Sequence, residues 1–542
     1  MKLYLIDALG PFVDEKNPPH NWSTTPLYDE EGIIHHHERI IARFERFIER
    51  ISALGYNAIS IDDLPHLVTL DIYPEALQEK LCEYKKLYTE LFALATRHNI
   101  KVFVNFDVMY FNQEIERYTK GSHKKIIHII ERSLTHLFEE YAVAGIITRV
   151  GECDGIDREG AFKSRLTIKN AKQARMYLKK LLPLFEKHDK TWIFRTWSVG
   201  AYRIGDMIWN RKTFTEVFKG IKSNSLVISI KYGETDFFRN LELNPLFETH
   251  GYHLIIELQT RREYDGFGEL PFYTGWDYEK YYQALKNNPH LVGIFVWCMT
   301  GGWRKSNRVT FLENSSPWVE LNTISTLEIF KGRKTAEQCI VDFFGNEKMI
   351  EYLKQYNAVS KEIMYQDNEP VLYFRKLRVP PLLWIFWDNI TINSFIKSYF
   401  SVIINDTVDL SEQDIRELHL LGQSCDVPRN TFITDTLFIL YFCRKALESK
   451  ITLEELHKKV AEYDKKYPGF FKFSISKTLD TKRAALMLRT LIRRDKKYRF
   501  IDSALLNRFY LFPIVRLLLA INKKYLPGFV GTQAMPFKTL LK

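Results

Sequence analysis

Residues 253–268 read HLIIELQTRREYDGFG. Leu254, Ile255, Ile256 and Leu258 make the body of a buried β-strand, whereas Glu257, Gln259, Arg261, Arg262, Glu263 and Asp265 crowd its end with polar groups. A strand of this kind needs a fold that covers strand bodies and leaves strand ends to the solvent or a ligand. The same pattern recurs along the first three hundred residues. It appears in KLYLIDAL from Lys2, YNAISIDDL from Tyr56, KVFVNFDV from Lys101, AGIITRVGE from Ala144, KTWIFRTWSV from Lys190, SLVISIKYGE from Ser225 and LVGIFVWCMTGG from Leu291.

Between most of these segments lie stretches such as HERIIARFERFIERISALG from His37 and QARMYLKKLLPLFEKH from Gln173, whose apolar residues recur at helical spacing. Strand and helix in alternation, with near-continuous apolar strands, predict an α/β fold of the (β/α)8 barrel type over residues 1–345. The connection TDFFRNLELNPLFETHGY from Thr235 is too short for a long helix and predicts a loop with one helical turn. From residue 346 to 542 the pattern is helical, in NEKMIEYLKQYNAVSKEIM from Asn346, TLFILYFCRKALESKITLEELHKKVAEYDKKY from Thr436 and TKRAALMLRTLIRRDKKYRF from Thr481.

Composition sets further limits. A 542-residue chain exceeds what one core usually organises, and 46% hydrophobic with 26% charged residues belongs to a globular protein, not a disordered one. The six cysteines are scattered without CxxC spacing, so free thiols are expected, and the start MKLYLIDALG lacks the pattern of a signal peptide or anchor. A cytoplasmic location follows as the expectation. The net charge of +11 is unevenly spread, since residues 443–542 carry about 23 Lys and Arg against about 8 Asp and Glu. The basic segment LLNRFYLFPIVRLLLAINKKYLPGFVG from Leu505 either lies peripherally on the anionic inner membrane face or closes the helical region against the barrel. No nucleic-acid-binding signature accompanies the charge, and nucleic acid is not expected as a partner.

In a barrel, the ends of the strands and the loops after them build the active-site face. The residues collected there are Asp7, Asp62, Asp63, Asp107, Arg149, Glu152, Arg195, Trp197, Lys231, Asp236, Glu263, Trp297 and Trp303. Carboxylates with neighbouring Arg, Lys and Trp suit carbohydrate chemistry: glycoside cleavage needs a protonated carboxyl on the leaving oxygen and a second carboxylate opposite it. Glu152 follows an apolar strand, where partial desolvation would keep it protonated as the acid. Asp236 and Glu263 end neighbouring strands, where one or both would hold a water as base. Arg195 and Lys231 supply fixed positive charge for an anionic sugar. Trp303 is either a sugar platform or a loop anchor. The run His35, His36, His37 cannot face one ion, because consecutive helical residues point about 100° apart, so neither metal nor other cofactor is expected.

These motifs resemble, in order, the catalytic barrel of the α-glucuronidases of glycoside hydrolase family 67, over residues of about 50 to 340. NAISIDD from Asn57, which contains Asp63, resembles the family's second-strand motif, and NIKVFVNFD from Asn99 its third. AGIITRVGECDG is similar to the segment bearing the general acid, which implies that role for Glu152, with Arg149 slightly shifted from a substrate-binding lysine. WIFRTW implies a carboxylate-holding Arg195. ISIKYGETDFF and IIELQTRREYDG imply a substrate contact for Lys231 and a base function for Asp236 and Glu263. The resemblance thus implies an inverting, exo-acting enzyme that removes a terminal α-linked uronic acid from an acidic oligo- or polysaccharide. The other reading of the same barrel is a catalytically silent carbohydrate-binding or membrane-associated protein of surface-polysaccharide assembly.

Overall fold

The structure, a computed structural model, describes residues 2–12, 37–150, 162–164, 167–197, 204, 207–208, 210–233, 243–249, 251–261, 268–298, 316–364, 410–447 and 450–468. Its centre is a closed barrel of eight parallel strands. These are β1 (Leu3–Asp7), β2 (Ala58–Asp62), β3 (Lys101–Asp107), β4 (Gly145–Arg149), β5 (Thr191–Arg195), β6 (Leu226–Lys231), β7 (His253–Gln259) and β8 (Leu291–Trp297). Every strand pairs with its sequence neighbours and β8 closes on β1, so this is the (β/α)8 fold.

Strand alternation sorts each segment into two apolar sets. Leu5, Ala58, Phe103, Ile147, Ile193, Val227, Ile255 and Phe295 form the inner core. Their neighbours Ile6, Ile59, Val104, Ile146, Phe194, Ile228, Ile256 and Ile294 belong to the larger core shared with the helices. Both faces are thus covered, which is why the strands read as continuous hydrophobic runs. The inner layer is tight at Gly145 and Gly293, where a Cβ would stand 1.9 Å from the Thr191 carbonyl oxygen and 2.0 Å from that of Leu3.

Helices α1 (His37–Leu54), α2 (Glu75–Arg97), α3 (His123–Glu140), α4 (Ala171–Lys187), α5 (Arg211–Phe218), α6 (Gly275–Leu285) and α7 (Pro317–Phe330) accompany the strands. In α1 the buried residues Ile40, Phe44, Phe47, Ile48 and Ile51 fall on one stripe, as an amphipathic barrel helix requires. Between β6 and β7 the described residues hold one 3₁₀ turn, Pro245–Glu248, in place of a long helix. Beyond α7 follow α8 (Ala336–Phe344), α9 (Lys348–Met364), α10 (Glu412–Ser424), α11 (Asn430–Leu447) and α12 (Leu453–Lys466). The segments from Thr481 and Leu505 lie outside the described residues.

These later helices meet the barrel on α6, on α7 and on the residues that follow β7. The Tyr273 hydroxyl donates to the Ala336 carbonyl at 2.6 Å, Phe272 meets Tyr356 edge to face, and Arg429 pairs with the buried carboxylate of Glu269. Residues 268–274 follow β7, so the helical region grips the loop that continues the opening sequence stretch. Cys82, Cys298, Cys339, Cys425 and Cys443 are free thiols, and Cys153 lies outside the described residues. Among the described residues no helix is long and apolar enough to cross a membrane.

Candidate active site

Side chains that point into a barrel alternate along each strand, so the last inward position of every strand is found by counting in twos from the inner core. Those positions hold Asp7, Asp62, Asp107, Arg149, Arg195, Lys231, Gln259 and Trp297. One step deeper stand Leu5, Ser60, Asn105, Ile147, Ile193, Ser229, Glu257 and Phe295, and below these the lining is almost wholly apolar. The barrel therefore changes within two residues from a packed hydrocarbon core to a polar mouth at the C-terminal ends of its strands. All the polar members of both sets are buried.

Burying this many polar groups is costly unless they pair, and two clusters show how they do so. On β2 to β4, Arg149 Nε donates to Asp107 Oδ1 at 2.6 Å across directly paired positions, and its Nη2 lies 3.8 Å from Asp62 Oδ2. On β5 to β7, Arg195 makes a two-pronged contact with Glu257, Nε to Oε2 at 2.9 Å and Nη2 to Oε1 at 2.6 Å. Ser229 Oγ donates to the same carboxylate at 3.1 Å, and Lys231 Nζ lies 3.7 Å from it. Burial by itself would raise the Glu257 pKa. The charges of Arg195 and Lys231, with the hydrogen bonds from Arg195 and Ser229, outweigh it and hold the carboxyl below its ordinary value.

Two indoles flank these cations. Lys231 Nζ stands 3.9 Å from the Trp197 ring centroid, and the Arg195 guanidinium lies 4.7 Å from that of Trp297. On the opposite arc, Asp63 follows β2 directly and its Oδ1 meets His66 Nδ1 at 2.5 Å. The His66 ring in turn packs against Tyr84 and edge-on against Phe162. Asp7 accepts from the Cys298 backbone N–H at 3.0 Å, tying the ends of β1 and β8 together.

Of the residues that the sequence proposes for the site, Asp63, Arg149, Arg195, Trp197 and Lys231 all stand at the C-terminal mouth. Arg195 and Lys231 converge on a carboxylate of the chain itself, Glu257. Glu152, Asp236, Glu263 and Trp303 lie outside the described residues. Sequence reasoning missed Glu257, Gln259, Asn105 and Ser60 as members of the mouth. Their inward parity was available in the strand pattern; the partners of Glu257, tens of residues away, were not.

The loop after β7 is fixed by α7. Asn322 Nδ2 donates to the carbonyls of Thr260 (3.1 Å) and Phe272 (2.8 Å), while its Oδ1 accepts from the Thr274 N–H at 2.9 Å. Ser316 Oγ donates to the Gly268 carbonyl. These bonds hold the residues on both sides of segment 262–267.

No protein-family model and no curated protein matches this sequence. Solved structures do resemble the fold. One is a GH138 enzyme targeting pectin rhamnogalacturonan II, with TM-score 0.52 and 11% identity over 91% of this chain and 62% of that one. Another is a family 89 glycoside hydrolase from Clostridium perfringens in complex with GlcNAc-alpha-1,4-galactose, with TM-score 0.49 and 8% identity over 85% of this chain and 53% of that one. A third is a mutant O-GlcNAc hydrolase of Thermobaculum terrenum, with TM-score 0.40 and 11% identity over 85% and 94%. The likeness to the first shows a shared fold, and the chain spans less than two thirds of that protein's length.

Proposed function

We propose that this protein is a glycosidase whose substrate binds at the C-terminal mouth of the barrel. The reading is carried by one observation: every strand ends its inward face in a polar or aromatic side chain over an otherwise apolar core. A barrel needs no such layer for stability, since buried charge is at best weakly stabilising. That the structural neighbours reported above are named as glycoside hydrolases is in keeping with this reading.

The finer assignment rests on the resemblance to the family 67 α-glucuronidases. In it the substrate ends in an α-linked uronic acid, Glu152 protonates the leaving oxygen, and Asp236 or Glu263 activates a water. Lys231 and Arg195 supply positive charge for the sugar carboxylate, and Glu257 fixes their orientation. Arg149, Asp63, Trp197 and Trp303 complete the sugar contacts. Association of the basic C-terminal segment with an anionic membrane belongs to the same proposal and would keep the enzyme near a surface polysaccharide, on the cytoplasmic side. No cofactor takes part.

The test is release of uronic acid from xylo-oligosaccharides that carry α-linked glucuronic acid, measured for the native chain and for Glu152→Gln. General acid catalysis typically contributes about 100- to 10,000-fold, and the variant should lose activity on that scale. Binding without release by the native chain would favour the carbohydrate-binding alternative. A loss of less than tenfold in Glu152→Gln would take the acid role from that residue.

A further inference from the structure

The polar mouth divides into two unlike arcs. From β3 through β4 to β7 the charged side chains satisfy one another, as the Arg149 and Arg195 clusters show. The remaining arc, from β7 through β8, β1 and β2 to β3, is continuous in the strand order. There, among the described residues, Gln259 Oε1, Trp297 Nε1, Ser60 Oγ and Asn105 Oδ1 are buried without a hydrogen-bond partner. Each of the four residues is at least nine-tenths buried, and each occupies an inward position. Natural proteins pair nearly all such groups, and an unpaired one asks for a ligand or a water. Four on one arc of one barrel mouth ask for a ligand with several hydrogen-bonding groups.

Gln259 and Trp297 are direct register partners on adjacent strands. One presents an acceptor and the other a donor. A hydroxyl group satisfies both, donating its proton to the amide oxygen while its oxygen accepts from the indole N–H. A carboxylate would satisfy only the indole, and an ammonium only the amide.

We infer that Gln259 and Trp297 form a hydroxyl-recognition pair for a pyranose ring, with Ser60 and Asn105 serving further hydroxyls on the same arc. The inference rests on the proposed function for its ligand class, and it sets a hydroxyl-reading pair on β7 and β8 beside the ionic clusters of the mouth. A site built to bond a hydroxyl discriminates strongly against the analogue lacking it, because its own buried groups are then left unpaired.

The experiment is calorimetric titration of the full chain with D-glucuronic acid and with its 2-, 3- and 4-deoxy counterparts, accompanied by thermal melting. The native chain should bind one of the deoxy sugars at least about tenfold more weakly than the parent. In Gln259→Leu and in Trp297→Phe, which keeps a ring but loses the N–H, that difference should shrink to less than about threefold. Gln259→Leu should melt no lower than the native chain, because it removes an unpaired buried amide. A lower melting temperature in Gln259→Leu would assign the residue to the scaffold and overturn the inference. Undiminished discrimination in both variants, or no binding of any of these sugars by the native chain, would overturn it too. Hydrolysis is assayed separately. Release of sugar with no discrimination loses the pair and keeps the reaction, whereas discrimination without release keeps the pair and loses the reaction.

Discussion

Glu257 decides the character of the ionic side of the mouth. It is a fully buried carboxylate that collects Arg195, Lys231 and Ser229, and those partners hold its pKa below the ordinary range. With the folded value depressed, its charge contributes stability that is fully present above the unfolded pKa, about 4.3. That contribution is lost as pH falls through the lower folded value. Removing the charge would leave Arg195 and Lys231 buried without this counter-ion, at a cost of about 3–5 kcal/mol. Glu257→Gln should therefore unfold at lower urea concentration at neutral pH, and its stability should decline less steeply than the native chain's below about pH 4. Parallel pH profiles in the two proteins would show that Glu257 is not held as an anion. The sequence announced a carboxylate in this strand, but 62 residues separate it from Arg195, and no local pattern encodes a pairing of that range.

The strands are the elements that the sequence made most legible. All eight segments read as strands are strands, because a barrel strand covered on both faces leaves an uninterrupted apolar run with charge at its end. The 3₁₀ turn that the described residues hold between β6 and β7 was legible for the complementary reason, a connection too short and too irregular for a long helix. What spacing could not disclose is how α7 governs the loop after β7. Asn322 alone binds three backbone groups of residues 260–274. Asn322→Leu leaves those groups buried and unpaired, each costing about 1–3 kcal/mol, so a loss of at least about 3 kcal/mol is expected in urea unfolding. The same variant should lose catalytic activity more than substrate binding, since the loop leads into the segment that contains Glu263. A stability change under about 1 kcal/mol would mean that the loop is held by other bonds.

The whole molecule joins a barrel, whose mouth is lined by buried polar side chains, to helices that grip the loop after β7 through Arg429, Tyr356 and Ala336. Composition placed the excess positive charge in the last hundred residues, leaving the remainder slightly acidic. The ring of inward polar residues was legible only in part: Asp7, Arg149, Arg195 and Lys231 stand out at strand ends, whereas Ser60 and Asn105 are hidden within apolar runs. In the proposed function this mouth hydrolyses an α-linked sugar with a water supplied opposite the acid. An inverting site separates its carboxyls by roughly 6.5 to 9.5 Å to admit that water, against roughly 5 to 5.5 Å in a retaining one. The most direct measurement follows the anomeric proton by NMR in the first moments of turnover of an α-linked glucuronoside by the full chain. The β-anomer of the released sugar should appear first and then mutarotate; the α-anomer appearing first, or no released sugar at all, would contradict the account.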